Sequence, residues 1–230
     1  AYEIKECDWS SDVCSSDLDL GGAFVFPGGK RDEADGSPTA LAALQTDAAS
    51  LHAQLGEPEL TPAHAASLFV AALREAQEEC GLKIQATDLQ AWSRWITPKM
   101  ASVSTQRFDT RFFVAAVPSG QDAVHDNVET THSAWLRPRQ ALEDYWEHRI
   151  ELAPPQIMSL VQLLRHDTVQ AVLDDTRQRA PATIQPEPFD DDGIRTICYP
   201  GDPKHSLPER VLHGDRKGTR LNSSHIPLSR

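Results

Sequence analysis

Apolar runs of strand length occur at several places along the chain. The first, Ala23 to Phe26, stops at Pro27-Gly28-Gly29 and therefore predicts a strand that enters a loop. Three more runs of this kind follow at residues 89–96, 107–117 and 129–136. The second of them alternates at first and then becomes continuously apolar, which is typical of an inner strand of a mixed sheet.

Longer stretches with helical character alternate with these runs. An Ala- and Leu-rich stretch from Thr39 to Leu55 predicts a helix that ends at Gly56. Thr61 and Pro62 are typical of an N-cap and a first turn, and they predict a second helix, which stops at Gly81. Two closing helices are predicted at residues 138–148 and 155–166, and a strand-like patch at 194–199 predicts an extension or a small hairpin.

The two ends of the chain show neither the helical nor the strand pattern of hydrophobic residues. Cys7 to Leu18 repeats Ser-Ser-Asp twice, and Asp215 to His225 is equally without pattern. Both resemble translated sequencing-adapter read-through, so residues 1–18 and 215–230 are interpreted as non-native, with natural polar tails as the alternative. On the first interpretation, any strand that precedes Gly21 is expected to be missing.

The charge balance restricts the partners. With 22 Lys and Arg against 34 Asp and Glu, the formal net charge is −12, which argues against nucleic acid or an anionic membrane as a partner. A polyanionic small-molecule substrate would then need a divalent metal ion. The sequence contains no 18-residue apolar run that would predict a membrane span, and none of the four cysteines forms a CxxC pair. A reducing cytoplasm is therefore the expected compartment.

The second predicted helix carries a cluster of acidic residues on one face. Glu75, Glu78 and Glu79 are spaced i, i+3 and i+4, so their side chains lie within about 100° of arc. The opposite arc is an apolar stripe of Phe69, Leu73, Ala76 and Cys80. Three carboxylates this close repel one another unless a cation lies among them, and hard oxygen ligands suit Mg²⁺ or Mn²⁺. A solvated acidic helix face is the alternative.

This segment resembles the Nudix box of the Nudix hydrolases. Residues 74–82, REAQEECGL, match its second half, REUxEExGU, in which U is a bulky aliphatic residue; Ala76 is small for that position. Residues 28–35 match the first half, GGxxExGE, although Asp32 and Asp35 replace glutamates and Ala34 replaces a glycine. The halves are separated by residues 36–73, which is 38 residues, where the family has a short spacer.

An insertion at this point resembles a Nudix subgroup that includes the peroxisomal coenzyme A diphosphatase and its bacterial relatives. Three stretches share the resemblance, namely residues 21–35, 93–98 and 107–115. It implies an α/β Nudix fold, a mixed β-sheet sandwiched between helices. The implied organisation is a Nudix domain at residues 19–166 with an inserted helical arm at 36–61, and a C-terminal extension at 167–214. The arm is expected to bulge out, as a lid or as a homodimer contact.

The activity implied by the resemblance is metal-dependent hydrolysis of the diphosphate bond in coenzyme A or acyl-coenzyme A. The products would be 4′-phosphopantetheine, or its acyl form, and adenosine 3′,5′-bisphosphate. Two alternatives remain open. The same chemistry would serve ADP-ribose, dinucleotides or damaged nucleotides, and a non-catalytic Nudix module would sense a nucleotide without cleaving it.

The resemblance also implies roles for individual residues. Glu75, Glu78 and Glu79 would hold Mg²⁺ or Mn²⁺, and the carbonyl of Gly28 would be a further ligand. Either Glu78 or Glu79 would be the catalytic base. Arg74 would point the other way round the helix and pair with Asp35, which braces the loop against the helix.

Further residues are candidates for contact with the substrate or with water. Gly29 lets the backbone approach phosphate closely, and Lys30 is placed to contact phosphate, with a solvated loop lysine as the alternative. Glu129 is an alternative source of the base. Arg94, Arg107 and Arg111 lie on two predicted strands, where they would grip a substrate phosphate or form an ion pair with Asp109.

Overall fold

The structure, a computed structural model, describes residues 2–7, 23–98, 107–123, 130–191 and 194–211. Its strands are β1 (Tyr2–Cys7), β2 (Ala23–Val25), β3 (Gln90–Ile96), β4 (Asp109–Val114), β5 (Thr130–Leu136), β6 (Glu151–Leu152), β7 (Ala182–Ile184), β8 (Glu187–Asp191) and β9 (Ile194–Cys198). Its α-helices are α1 (Pro38–Ala43), α2 (Ala48–Leu55), α3 (Pro62–Cys80), α4 (Pro138–Trp146), α5 (Pro154–Leu163) and α6 (Val169–Gln178), and a 3₁₀ turn spans Ala34–Gly36.

The chain divides into two compact units. The first consists of residues 1–91 and 113–181, and the second of residues 92–112 and 182–230. The first unit contains the glycine-rich loop and the acidic helix. The second contains most of β3 and β4.

A four-stranded mixed sheet in the first unit has the order β5-β1-β2-β6. Strand β1 pairs antiparallel with both β2 and β5, with Lys5 opposite Val25 and Ser133, whereas β2 pairs parallel with β6. The expected mixed sheet is confirmed. Residues Tyr2–Cys7 form a strand before Gly21. The interpretation of residues 1–18 and 215–230 as non-native, and of a native strand lost before Gly21, stays a prediction.

The helix expected from Thr39 to Leu55 is two helices. Ser37 caps α1 by accepting a hydrogen bond from the amide of Ala40, and Asp47 caps α2 by accepting one from the amide of Ser50. Between them Gln45 adopts a left-handed backbone with φ of 52°. The second cap satisfies amides that a continuous helix would have bonded internally, so the chain breaks at this point.

The inserted arm is part of the core of the first unit. Leu44, Leu51 and Leu55 are buried in one apolar cluster with Phe69 of α3. The side-chain amide of Gln54 also donates to the carbonyl of Leu89 at 3.3 Å. The expectation that the arm bulges out is therefore wrong. Its leucines are buried against α3, and they would lose that burial if the arm projected into solvent.

A second apolar cluster of the first unit covers the mixed sheet. It contains the buried residues Ala141 and Leu142 of α4, Leu152 of β6 and Leu160 of α5, with Phe24 and Phe26 packed against them. The two closing helices are thus confirmed, and each begins with a proline in its first turn.

The second unit contains a three-stranded sheet of order β4-β3-β7 and the antiparallel hairpin β8-β9. Strand β7 runs parallel to β3, with Arg94 opposite Thr183. The rings of Trp95 and Tyr199 pack edge to face at 6.1 Å. The expected hairpin around Ile194 to Tyr199 is confirmed.

Helix α6 was not predicted. Thr168 caps it by accepting a hydrogen bond from the amide of Ala171, and its segment is amphipathic at the helical period although it is polar on average. The cap and this periodicity are the signals that could have found it. None of the helices in the described ranges has an apolar stretch long enough to cross a membrane.

Candidate functional site

Helix α3 positions the acidic cluster. Its first turn is capped by Thr61, whose hydroxyl accepts from the amide of His64 at 3.2 Å, and it ends at Gly81 with φ of 67°. Phe69 and Cys80 of the predicted apolar stripe are fully buried. Phe69 also packs edge to face on Phe113 at 4.8 Å, so the stripe fixes which way the opposite face of the helix points.

Arg74 and Asp35 join the two halves of the box. Arg74 donates through Nε to Asp35 Oδ1 at 3.1 Å and through Nη2 to Asp35 Oδ2 at 3.2 Å. Nη2 also donates to the carbonyl of Lys30 at 2.9 Å, and the amide of Asp32 donates to Asp35 Oδ2 at 2.7 Å. The predicted pair is therefore present across 38 intervening residues.

The expectation that Arg74 points away from the glutamates is wrong. Its Nη1 donates to Glu75 Oε1 and to Glu78 Oε2, each at 2.9 Å. Glu78 lies one helical turn further on, within reach of a long arginine side chain. A single guanidinium thus connects the first half of the box with two of the three helix carboxylates.

These contacts hold Asp35 and Arg74 in their charged forms. Burial opposes ionisation of Asp35, but the hydrogen bond from Arg74 and that from the amide of Asp32 outweigh it, so the pKa of Asp35 is below its usual value. The hydrogen bond to Asp35 in turn raises the pKa of Arg74, which is also raised by Glu78 and Glu75. Both groups are therefore ionised at neutral pH.

The glycine loop lies directly against the helix. The amide of Gly28 donates to Glu79 Oε2 at 3.2 Å, and Glu79 is buried. A Cβ on Gly29 would lie 2.2 Å from Glu75 Oε1, closer than any side chain allows. A side chain at position 29 would therefore force the Glu75 carboxylate out of its observed position, which is a further reason for a glycine here besides access to phosphate.

The donor set fits a hard divalent cation. The side chains are carboxylates, and Arg74 Nη1 already places positive charge between Glu75 and Glu78, so these two can share one cation. In the part of the chain that the structure describes, no group of three or more His, Cys, Asp or Glu side chains is arranged to hold a metal ion. The three-glutamate metal site and the Gly28 carbonyl ligand therefore remain predictions.

The strand arginines form a cluster within the second unit. Arg94 donates to both carboxylate oxygens of Asp109 at 2.8 Å, and Arg111 lies 3.1 Å from Asp109 Oδ1. Arg107 instead donates to the carbonyl of Thr97 at 3.4 Å. The alternative of an ion pair with Asp109 is thus observed for Arg94 and Arg111. Glu129 lies outside the described residues.

Two backbone contacts of this site were not predicted from the sequence. Lys30 was considered for its ammonium group, whereas its carbonyl accepts from Arg74. The amide of Gly28, bonded to Glu79, was likewise not expected. Backbone groups leave no signal in residue identity, so a sequence motif shows where a loop turns but not which of its atoms are used.

The fold is that of the Nudix hydrolases. A crystal structure of a Nudix hydrolase from Alicyclobacillus acidocaldarius superposes with a TM-score of 0.54 at 18% identity, covering 78% of this chain and 88% of that one. At this identity the likeness speaks for the fold alone. The expected Nudix fold is thereby confirmed.

Comparison with protein families shows similarity to one particular group of Nudix domains. Residues 66–163 match the family described as the NUDT19 Nudix domain. This chain is 41% identical over 76 residues to acyl-coenzyme A diphosphatase NUDT19 of Xenopus laevis, and 30% identical over 142 residues to that of Gallus gallus. These matches cover 33% and 61% of this chain but only 20% and 36% of the relatives. Over the matched residues the chain is therefore similar to these acyl-coenzyme A diphosphatases, as the motif had indicated.

The family match begins at Ala66, after the inserted arm. It includes Arg74 and the three glutamates but not the glycine loop. The first half of the box is therefore supported by the motif and by the contact between Arg74 and Asp35.

Proposed function

We propose that this protein is a metal-dependent Nudix hydrolase that cleaves the diphosphate bond of coenzyme A or acyl-coenzyme A. The observation that carries the proposal is the Arg74 guanidinium, which joins Asp35 of the glycine loop to Glu75 and Glu78 of the acidic helix. The similarity to acyl-coenzyme A diphosphatases supports the substrate class.

The reaction consumes one water molecule. Its oxygen bonds to one phosphorus of the diphosphate, the bridging P–O bond breaks, and two phosphate monoesters leave. With coenzyme A the products are 4′-phosphopantetheine and adenosine 3′,5′-bisphosphate. A divalent ion of the kind Nudix hydrolases use, held by Glu75, Glu78 and Glu79, would neutralise the phosphate charges.

We assign the general base to Glu78. Its side chain is 58% exposed, so a water molecule can approach the carboxylate and give up its proton there. Glu79 is buried and accepts a hydrogen bond from the amide of Gly28, which suits it to fixing the loop. The sequence left the base open among Glu78, Glu79 and Glu129, and the difference in burial between Glu78 and Glu79 supports Glu78.

The remaining residues of the box orient the site. Arg74 and Asp35 fix the loop on the helix, and Gly29 leaves room for Glu75. Contacts of Gly29 and Lys30 with the substrate phosphates are part of the proposal. A rigid loop is needed because a displacement of about 1 Å at the reacting atoms costs on the order of 100-fold in rate.

The test is hydrolysis of coenzyme A by the full chain with and without Mg²⁺ or Mn²⁺, followed by chromatography of the products. We expect metal-dependent appearance of adenosine 3′,5′-bisphosphate together with 4′-phosphopantetheine. Much faster turnover of ADP-ribose or of a dinucleotide would show that the substrate class is wrong. Binding of these nucleotides without any product would support the sensing module instead.

A further inference from the structure

His205 of the second unit is a buried histidine whose ring has a hydrogen-bond partner at each nitrogen. Its side chain is 1% exposed. Nε2 lies 2.9 Å from the carbonyl of Gln185, and the amide of Leu207 donates to Nδ1 at 2.9 Å. Because a carbonyl only accepts and an amide only donates, these partners assign the hydrogen to Nε2 and leave Nδ1 as an acceptor. The contacts therefore match the neutral ring.

The bond from Leu207 to the ring helps to hold the chain that follows. The carbonyl of Leu207 accepts from the amide of Gly201 at 2.9 Å, so both backbone groups of residue 207 are bonded to the preceding turn. Arg210 lies directly against the same glycine, since a Cβ on Gly201 would come within 2.4 Å of Arg210 Cγ. Residues 207–210, which we call the C-terminal strap, thus lie back on the turn that follows β9.

The carboxylate of Glu187 on β8 lies beside the same ring nitrogen. Its Oε2 is 4.0 Å from Nδ1 of His205, which is beyond hydrogen-bond length. The hydroxyl and the amide of Ser206 donate to Glu187, and these bonds lower the pKa of its carboxyl group, so the group is ionised at neutral pH. A protonated Nδ1 would therefore have an anionic acceptor within a small movement of the ring.

Other charged and titratable groups around the ring have contacts of their own. The thiol of Cys198 on β9 donates to the carbonyl of Glu187 at 3.3 Å, and burial, together with the nearby Asp202 and Glu187, raises the pKa of this thiol. The carboxylate of Asp202 accepts from the amide of Lys204 at 2.9 Å, and Lys204 Nζ lies 5.9 Å from the ring centre of Phe189. Among the described residues, Glu187 is the one carboxylate within 4.0 Å of the His205 ring.

We propose that protonation of His205 releases the C-terminal strap. Uptake of a proton from solvent at Nδ1 turns this nitrogen from an acceptor into a donor, so the amide of Leu207 loses its partner and faces another N–H group. The new N–H donates to Glu187 Oε2, and this ion pair replaces the backbone bond. Because Nδ1 cannot accept and donate at once, the strap has a bound and a released state that the proton selects. The device lies in the second unit and does not depend on the proposed hydrolysis.

The test is a pH titration of the full ¹⁵N-labelled chain by NMR, from about pH 7.5 to about pH 5, the range in which an ordinary histidine changes charge. The ¹⁵N shifts of the ring report its tautomer and charge, and the amides of Leu207 and Gly201 report the strap. At the upper pH we expect the Nε2–H tautomer. On acidification the protection of both amides from solvent exchange should fall at least about fivefold, in step with ring protonation, as for loss of one hydrogen bond.

Variants separate the effect of the proton from that of the contacts. His205→Gln keeps a donor and an acceptor but does not titrate, so both amides should keep the same protection across this range. Glu187→Gln removes the anionic acceptor, so the ring should take up its proton at lower pH. His64→Gln, at an exposed position in the first unit, is the matched control and should leave the response of the strap unchanged.

Three results would overturn the proposal. The first is ring protonation that leaves the protection of Leu207 and Gly201 unchanged. The second is a ring that carries its hydrogen on Nδ1 at the upper pH. The third is a ring that stays neutral until the whole chain unfolds, which circular dichroism of the same samples would show. If His205→Gln fails to fold, the wild-type titration and Glu187→Gln still decide.

Discussion

Two arginine–carboxylate clusters of this protein have opposite compositions. In the first, Arg74 is alone among Asp35, Glu75 and Glu78. In the second, Arg94 and Arg111 share Asp109. In the first cluster one guanidinium bonds several carboxylates, and in the second cluster two guanidiniums bond one carboxylate.

The two clusters also differ in which partner is buried. The side chain of Asp35 is 4% exposed, and that of its partner Arg74 is 26% exposed. In the second cluster the carboxylate is the exposed partner. Removal of the arginine would therefore leave a buried carboxylate in the first cluster and an exposed one in the second.

The largest expected effect comes from removing one carboxylate of the first cluster. Glu78→Gln should lower kcat/KM by about 10³-fold with little loss of stability, because a base and a charge are lost at an exposed position. The measurement is release of adenosine 3′,5′-bisphosphate from coenzyme A, with circular dichroism to check the fold. Glu143→Gln, at an exposed position on α4, is the matched control and should keep wild-type activity. A rate near wild type would remove Glu78 from the reaction.

The next effect concerns stability. Arg74→Ala leaves the buried Asp35 without its charged partner, which should lower the free energy of unfolding by about 2–4 kcal/mol. Arg94→Ala should lower it less, because the carboxylate left behind is exposed. Urea denaturation measures both, and Arg177→Ala gives the baseline for a surface arginine. Equal losses for Arg74→Ala and Arg94→Ala would contradict the contrast in burial.

The smallest expected effect is a change in the acid sensitivity of folding. The pKa of Asp35 is lowered in the folded chain, so its contribution to stability is full above the ordinary pKa of 3.8 and is lost as the pH falls further, through the folded value. Asp35→Asn should be less stable at neutral pH and should lose less on acidification. Urea denaturation from about pH 6 to about pH 2.5 measures this. If the free energy of unfolding fell equally with pH in both proteins, ionisation of Asp35 would not be a source of the acid sensitivity.

Regular patterns predicted the elements that local rules control. Thr61, Pro62 and Gly81 marked both ends of α3, and the i, i+3, i+4 spacing placed its glutamates on one face. The break between α1 and α2 was missed because the Ala- and Leu-rich pattern continues through it. What decides there is the side chain of Asp47, which caps the second helix.

The site was predictable in its residues but not in its contacts. The Asp35–Arg74 pair followed from the resemblance to the Nudix box, although it spans two segments that are distant in sequence. The additional bonds from Arg74 to Glu75 and Glu78 depend on the rotamer of a long side chain, which helix geometry alone does not fix. The burial of Glu79 depends on where the glycine loop docks, and that is a tertiary contact.

The inserted arm also has a consequence for the order of assembly. Asp35 reaches Arg74 only after the 38 residues between them have closed a loop, and a flexible loop of that length carries an entropic cost that grows with its logarithm. Because Leu44, Leu51 and Leu55 pack with Phe69, folding of the arm shortens the flexible chain that remains to be closed. The arm thus acts as a scaffold for assembling the box, and a substitution among its leucines would slow maturation of the site without touching any residue in it.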